Sequence, residues 1–270
     1  MPGSVYKVIE LVGTSAESWE DAARVALRRF SIALAEIEFA RGEALLAQKS
    51  GRARLRVGTL TVAMLDIIPA ALSRLFAEQR NVDVEVTEGT AIGLTESLFR
   101  GELDCIVGQM ATNETTAQLE VQVEQVKLFD EPRCLICNAG HPLAAQRSAS
   151  LAVLAAHDWV LPPVPSAARQ SFDGLFISRG MAPPIPVVES QAVHSNVDIV
   201  ATTDLLGVAP LVLARRHIAT GRLRRVSPSV TLGGIPISLF WRSSSTSDPF
   251  LMRFRQAIIE ANDAGSEQFR

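Results

Sequence analysis

Hydroxyl and amide side chains recur where short apolar runs of this sequence end. The run LRVGTL contains Thr59 and is followed by Thr61, VDVEVTEGT ends on Thr90, and GELDCIVGQM contains Gln109. Such groups donate and accept hydrogen bonds, but a serine or threonine is a weak nucleophile without a positioned base. They suit the binding of a carboxylate or a hydroxylated ligand without chemistry on it.

The candidate binding residues extend this pattern along the chain and include two apolar neighbours. The full set is Thr59, Leu60, Thr61, Thr90, Gln109, Pro163, Ser166, Ser190, Gln191 and Ser195. Each threonine or serine is individually at least as consistent with a helix N-cap. The prediction of a binding site therefore rests on their coincidence at the carboxyl ends of strands.

Catalytic motifs are not evident. The sequence contains no glycine-rich phosphate loop, no HExxH and no GxSxG. His194 lies beside Ser190 and Ser195, where a ligand contact and a helix N-terminal histidine are equally open interpretations. Asp198 lies on the same predicted helix and cannot orient His194 as a catalytic acid would. We expect no enzyme activity.

Cys134 and Cys137 have the spacing of a metal-binding or redox pair but lie in the apolar run RCLICN. Side chains three apart on a strand point to opposite faces. We therefore predict buried structural thiols and no metal site.

Residues 55–110 alternate strand, helix, strand, helix, strand. Segments of this length predict parallel pairing with right-handed crossovers. Ligands of such sheets bind outside the carboxyl ends of the strands. The candidate binding residues at the strand ends should therefore form one wall of a small-molecule site.

The remaining chain continues the pattern. Predicted strands are 158–161, 185–189, 206–209 and 237–242, and predicted helices are 166–179, 195–203, 212–219 and 249–261. Residues 221–225 are predicted to form a basic turn. A proline cluster at 162–165 predicts a rigid loop.

Composition limits the class of protein. The 270 residues are 47% hydrophobic and 20% charged, with a net charge of −3 and no basic excess that would indicate nucleic-acid binding. No apolar run reaches the roughly 18 residues of a membrane span, and the N-terminus does not match a signal peptide. We expect a cytoplasmic protein without a membrane partner.

The first 50 residues differ from the rest. Residues 1–12 contain a strand-like run, and residues 18–48 follow a helical apolar stripe. A helix roughly 45 Å long with one such stripe usually packs against a partner helix.

Much of the chain resembles LysR-type transcriptional regulators. The segments ARGEALLAQKSGRARLRVGTL, LTESLFRGELDCIVGQM and VVESQAVHSNVDIVATTDLLGVAPLVLA carry the resemblance, which covers roughly residues 30–262. It implies α/β architecture with two Rossmann-like lobes and a hinged cleft, of the type 2 periplasmic-binding-protein-like class. It also implies a small acidic or hydroxylated effector and a homo-oligomer, dimer or tetramer, formed through the linker helix and the effector domains. The family's winged helix-turn-helix is missing here, so DNA binding would need an intact partner.

Residues 4–26 resemble the start of dodecins, in which the helix tryptophan, here Trp19, stacks on flavin. The returning strands of that family are missing, so we favour Trp19 as a helix-interface aromatic and expect no cofactor. The alternatives are a dodecin-like flavin assembly and a periplasmic solute-binding protein, although the second would need an export signal.

The resemblances predict a division of the chain. Residues 1–52 would hold the dodecin-like strand and long helix, 53–262 the effector domain, and 263–270 a polar tail. Within the effector domain, lobe I would comprise about 53–128 and 236–262, and lobe II about 129–235.

Overall fold

A computed structural model describes residues 12–27, 29–31, 34, 52–111, 122–164, 166–229 and 232–268. The chain divides into two compact units. The first takes the described residues up to Leu60 together with Ser73–Val126 and Leu239–Ala257. The second takes Thr61–Leu72, Lys127–Ser238 and the chain from Ile258 onward.

The regular elements follow in chain order. The strands are β1 (Ala53–Thr59), β2 (Val82–Glu88), β3 (Cys105–Gly108), β4 (Val123–Glu131), β5 (Arg133–Asn138), β6 (Trp159–Leu161), β7 (Val188–Glu189), β8 (Leu206–Pro210), β9 (Leu223–Val226) and β10 (Ile235–Arg242). The helices are α1 (Thr61–Met64), α2 (Ile67–Glu78), α3 (Ala91–Phe99), α4 (Leu151–Ala155), α5 (Ala167–Ile177), α6 (Val193–Thr202), α7 (Leu211–Ala219) and α8 (Pro249–Gln268). Short 3-10 turns occupy Pro142–Ala145 and Ser243–Ser245.

The first sheet has the strand order β2-β1-β3-β10-β4, and β1 pairs in parallel with both β2 and β3. This confirms the predicted alternation over residues 55–110. Five consecutive residues of β1, from Leu55 to Thr59, are buried, as expected for a central parallel strand. At Gly58 an added Cβ would lie 2.6 Å from Leu103 Cδ1, so a larger residue would force the leucine side chains of α3 and the following turn to shift.

The second sheet has the order β7-β6-β8-β5-β9, with β6 parallel to β7 and β8 and β5 antiparallel to β8 and β9. On one face, the Phe172 ring centroid lies 4.7 Å from that of Trp159 and 5.3 Å from that of Phe176. Cys137 belongs to this core cluster, whereas Cys134 belongs to the cluster on the other face. The predicted buried thiols on opposite faces of one strand are therefore confirmed.

Several predicted boundaries were wrong. The strand predicted for 185–189 is reduced to β7, because Pro184 and Pro186 have no N–H groups for a ladder. The basic turn predicted for 221–225 is instead a turn at Gly221, with φ of 75°, followed by β9, since Leu223 and Val226 are buried. The closing helix runs past 261 to Gln268 because no proline interrupts it and Gly265 alone costs only about 1 kcal/mol. The region predicted as a polar tail is thus largely helical.

The N-terminal predictions are only partly within the described residues. Residues 19–27 and 29–31 are helical, as is Leu34. The strand predicted for 1–12, Val12 excepted, and the rest of the long helix lie outside the described residues. Among the helices that the structure does describe, none combines the length and apolar character needed to cross a bilayer.

Candidate functional site

The carboxyl edge of the first sheet gathers four predicted residues. Thr59 at the end of β1 is in register with Glu88 of β2 and Val107 of β3. The Gly89 N–H donates to the Thr59 carbonyl at 3.2 Å, and the Leu60 N–H donates to the Val107 carbonyl at 3.2 Å. Four predicted residues therefore lie at the ends of adjacent strands or just after them: Thr59, Leu60, Thr90 and Gln109.

The threonine hydroxyls of this edge have backbone partners. Thr59 is fully buried, and its Oγ1 lies 3.1 Å from the Leu60 carbonyl and 3.3 Å from the Val107 carbonyl. Thr90 is the N-cap of α3, where its Oγ1 accepts from the Gly93 N–H at 3.2 Å. Both hydroxyls thus stabilise the ends of the elements on which they lie.

The carboxyl edge of the second sheet gathers Pro163, Ser166, Ser190, Gln191 and Ser195. The Ser190 N–H donates to the Leu161 carbonyl at 3.0 Å, which joins the end of β7 to the end of β6. Ser166 is the N-cap of α5: its Oγ donates to the Pro163 carbonyl at 2.7 Å and accepts from the Arg169 N–H at 3.3 Å.

The start of α6 is the most open part of this edge. No side chain caps the helix at Ala192. The Ser190 Oγ accepts from the Ala192 N–H at 3.1 Å, and Gln191, His194 and Ser195 are exposed. The first-turn amides of a helix have no intrahelical partner, and the helix dipole favours negative charge there. This end of α6 therefore suits an anionic group.

Thr61 is separated from Thr59 and Leu60 by the division into units. It is the first residue of α1 and belongs to the second compact unit, whereas Leu60 ends the first unit's segment. The two carboxyl edges thus lie in different units.

Two polar residues at the second edge were missed by the sequence analysis. The Arg169 Nε donates to both carboxylate oxygens of Asp173, at 2.9 and 3.0 Å, and its Nη1 lies 3.3 Å from the Glu189 carboxylate. The Asn196 Nδ2 donates to the Ser190 carbonyl at 2.8 Å, while its buried Oδ1 has no hydrogen-bond partner. The sequence could have indicated Asn196, because this polar residue shares the buried face of α6 with Val197 and Val200.

His141 and His157 have structural surroundings, unlike the exposed His194. His141 is buried and caps a 3-10 turn, with its Nδ1 accepting from the Leu143 N–H at 3.0 Å. Its ring packs edge-on against His157 at 5.1 Å. Burial, and next the neighbouring His157, lower the pKa of His141, so the neutral imidazole that accepts this bond is favoured. Among the residues described, no group of histidine, cysteine or acidic side chains is arranged to hold a metal ion.

Comparisons with known proteins identify two segments. The family model of the LysR substrate binding domain matches residues 48–263, and the dodecin model matches residues 5–41. GbpR, an HTH-type transcriptional regulator of Azospirillum brasilense, is 25% identical over 220 residues, covering 81% of this chain and 63% of that protein. GalR of Pseudomonas putida, another HTH-type regulator, is 27% identical over 232 residues, covering 84% of this chain and 57% of its own length. The chain therefore spans about three fifths of these relatives.

Solved structures show the same fold. The LysR family transcriptional regulator CbnR superposes with a TM-score of 0.63 at 21% identity, covering 90% of this chain and 78% of that one. The effector-binding domain of QuiR in complex with shikimate gives a TM-score of 0.67 at 15% identity, with 79% and 98% covered. These matches confirm the predicted α/β class with two sheet-centred lobes of the type 2 periplasmic-binding-protein-like fold. Because the family model spans most of the sequence, this chain belongs to the LysR substrate-binding domain family.

Proposed function

We propose that this chain is the effector-binding part of a LysR-type transcriptional regulator. In this proposal the effector is a small acidic or hydroxylated metabolite, bound at the strand carboxyl ends. The observation that carries the proposal is the uncapped start of α6, which lies beside Ser190, Gln191 and Ser195.

The ligand class follows from the chemistry of this edge. Uncapped helix amides and neutral hydroxyl and amide side chains stabilise a carboxylate without supplying a nucleophile or base. The Asp173 and Glu189 carboxylates already neutralise the Arg169 guanidinium. Recognition of an acidic effector would therefore depend on hydrogen bonds rather than on an unpaired cation. Shikimate, the ligand of QuiR, has this acidic and hydroxylated character.

Control of transcription would follow from a shift in population. An effector shifts an equilibrium between protomer arrangements by no more than its differential affinity for them. We propose that the chain forms a homo-oligomer through the N-terminal helix and the effector domains. A winged helix-turn-helix of the assembled regulator would then contact DNA, and the effector would alter its placement.

The effector proposal is tested by calorimetric titration with a panel of hydroxylated and aromatic carboxylates, shikimate included. Ser195→Trp should abolish binding of any acid that titrates the wild-type protein, because the indole would cover the start of α6. Ser244→Trp, at another exposed serine in the first unit, is the matched control and should bind normally. Equal binding by both variants would contradict the location of the site.

DNA recognition is tested separately by fluorescence anisotropy with labelled promoter-length duplex at physiological salt. The expected result is no binding, or weak salt-sensitive binding common to all sequences, by this chain alone. Tight and sequence-specific binding would contradict the proposal that a winged helix-turn-helix outside residues 1–270 supplies DNA recognition.

Flavin binding is a second candidate, favoured by the dodecin match over residues 5–41 and by the exposure of Trp19, which is 76% accessible. An exposed indole can stack on a planar ring system. Titration of riboflavin fluorescence distinguishes this candidate: quenching that is lost in Trp19→Ala supports it, and equal fluorescence with both proteins excludes it.

A further inference from the structure

The second compact unit contains a cavity of about 450 Å³, within the size range of small-molecule sites. Four segments that are distant in sequence line it: the α1–α2 region, the end of β4 with Pro132, the start of α7, and α8. None of the ten predicted effector residues lines this cavity. Its lining is therefore distinct from the candidate effector residues.

The walls of the cavity are mostly apolar, and part of their surface is accessible. Each of the four segments contributes apolar side chains: Val62, Ile67, Ala70, Phe129, Leu211, Val212 and Ala261. Phe129, Leu211 and Val212 are only half-buried, so these lining residues remain within reach of a ligand. Apolar surface of this kind, left in contact with water, favours an apolar occupant.

The acid at the end of β4 offers a ligand no polar contact. Glu131 is 1% exposed, and its carboxylate oxygens have practically no accessible surface. Its Oε2 lies 3.0 Å from Arg133 Nη2, so the carboxylate is enclosed with its own counter-ion. The class of ligand therefore depends on the accessible part of the lining.

The accessible charges of the lining compensate one another. Asp130 is ion-paired with Lys127 at 2.7 Å. Asp66 and Arg215 are both exposed and carry opposite formal charges, and Asn262 is neutral. An ionic ligand of either sign would thus meet attraction and repulsion together, while losing hydration against the apolar walls.

We propose that this cavity is a second small-molecule site, for a neutral apolar compound of the aromatic hydrocarbon class. An apolar cavity of roughly 150 Å³ already holds benzene, so one of about 450 Å³ has room for a substituted ring. The site takes the opposite chemistry to the strand-end edge, where uncapped amides favour acids. The proposal does not depend on the proposed function, because the cavity lies in the second unit alone and shares no lining residue with that edge.

The test uses amide chemical-shift mapping of the wild-type chain with three ligands of similar shape. The ligands are toluene, para-toluate and 4-methylbenzylamine, whose amine is protonated at neutral pH. We expect toluene to shift the amides of Phe129, Leu211 and Ala261 saturably, and both ions to bind at least tenfold more weakly, because each would have to desolvate its charge. Toluene shifts that do not saturate, or that spare these amides, would overturn the site. Either ion binding as tightly as toluene would overturn the chemical class.

A pair of variants checks the location. Val212→Phe should fill part of the cavity and weaken toluene at least tenfold, while Val153→Phe, the same change at an exposed position of α4, should bind as the wild type does. Should Val212→Phe fail to fold, Ala70→Phe on α2 fills the same cavity from another segment. Toluene affinity equal to that of the wild type in a folded filling variant would overturn the location.

Discussion

The carboxyl edges of the two sheets use similar side chains in different ways. In the first unit, Thr59 is fully buried against two carbonyls and Thr90 caps α3. In the second unit, the start of α6 has no side-chain cap, and Ser195 on its first turn is exposed. A hydroxyl at a strand end is therefore a candidate ligand contact only where packing leaves it exposed and without a protein partner.

Each unit contains a buried arginine, Arg56 in the first and Arg169 in the second, but the two lie at different ends of their sheets. The Arg56 Nη2 pairs with the Asp104 carboxylate at 2.8 Å, and its Nη1 donates to the Gly101 carbonyl at 3.0 Å, fixing the turn before β3. Arg169 instead lies at the carboxyl edge, beside Ser166. The first arginine therefore supports the fold away from the strand ends, and the second supports the candidate site itself.

The largest expected effect is in the first unit. Arg56→Ala should lower the free energy of unfolding by about 3 kcal/mol, because it removes a buried guanidinium and leaves the partly buried Asp104 without its ion-pair partner. Arg54→Ala, two residues earlier on β1, removes only an exposed pair with Glu85 and should change stability by about 0.5 kcal/mol or less. Urea denaturation of both variants measures the difference, and equal midpoints would contradict it.

The next largest expected effect is a pH dependence of the free energy of unfolding, caused by Glu131 in the second unit. Its pKa is raised from 4.5 to about 7, so the folded state binds more protons than the unfolded state between these values. Stability from this group is present below about pH 4.5 and is lost as the pH rises through about 7, a change on the order of 3 kcal/mol.

Glu131→Gln tests this dependence. The variant should match the wild type near pH 4 and exceed its free energy of unfolding near pH 8, because the neutral amide carries no buried charge. Denaturation across this range measures the difference. A constant difference between the two proteins at every pH would show that Glu131 does not titrate in this window.

A smaller effect is expected at Thr59. Thr59→Val keeps the volume of the side chain but removes its hydroxyl, and should cost about 1 kcal/mol of stability. Acid binding should be affected less than by changes at α6. Unchanged thermal unfolding together with a complete loss of acid binding would instead place the Thr59 hydroxyl on the ligand.

The smallest stability effect is expected at Ser195. Ser195→Ala should leave the free energy of unfolding within about 0.5 kcal/mol of the wild type, since the side chain is exposed. It should weaken acid binding by about fivefold, as expected for one lost hydrogen bond. Calorimetry and denaturation of the same preparation separate the two quantities. A large loss of stability would mean that Ser195 is structural, as Thr59 is.

Local sequence patterns were sufficient to predict the alternation of strands and helices over residues 55–110 and the opposite faces of Cys134 and Cys137. Both follow from local periodicity, which neighbouring residues encode directly. These patterns also placed the candidate residues at strand ends, because each end is marked by small or polar residues after an apolar run. Boundaries were less accurate where local signals conflicted, as at β9, whose basic residues suggested a turn although Leu223 and Val226 are buried.

Which hydroxyls are buried, and which charged side chains are enclosed, depends on contacts between distant segments of the chain. Thr59 and Ser195 are both hydroxyl residues at the boundary of a predicted element, but the burial of Thr59 depends on β3, nearly fifty residues further along the chain. The cavity around Glu131 likewise requires segments from Val62 to Gly265 to meet. Burial and hydrogen-bond satisfaction are properties of segments brought together by folding, and local sequence patterns do not encode them.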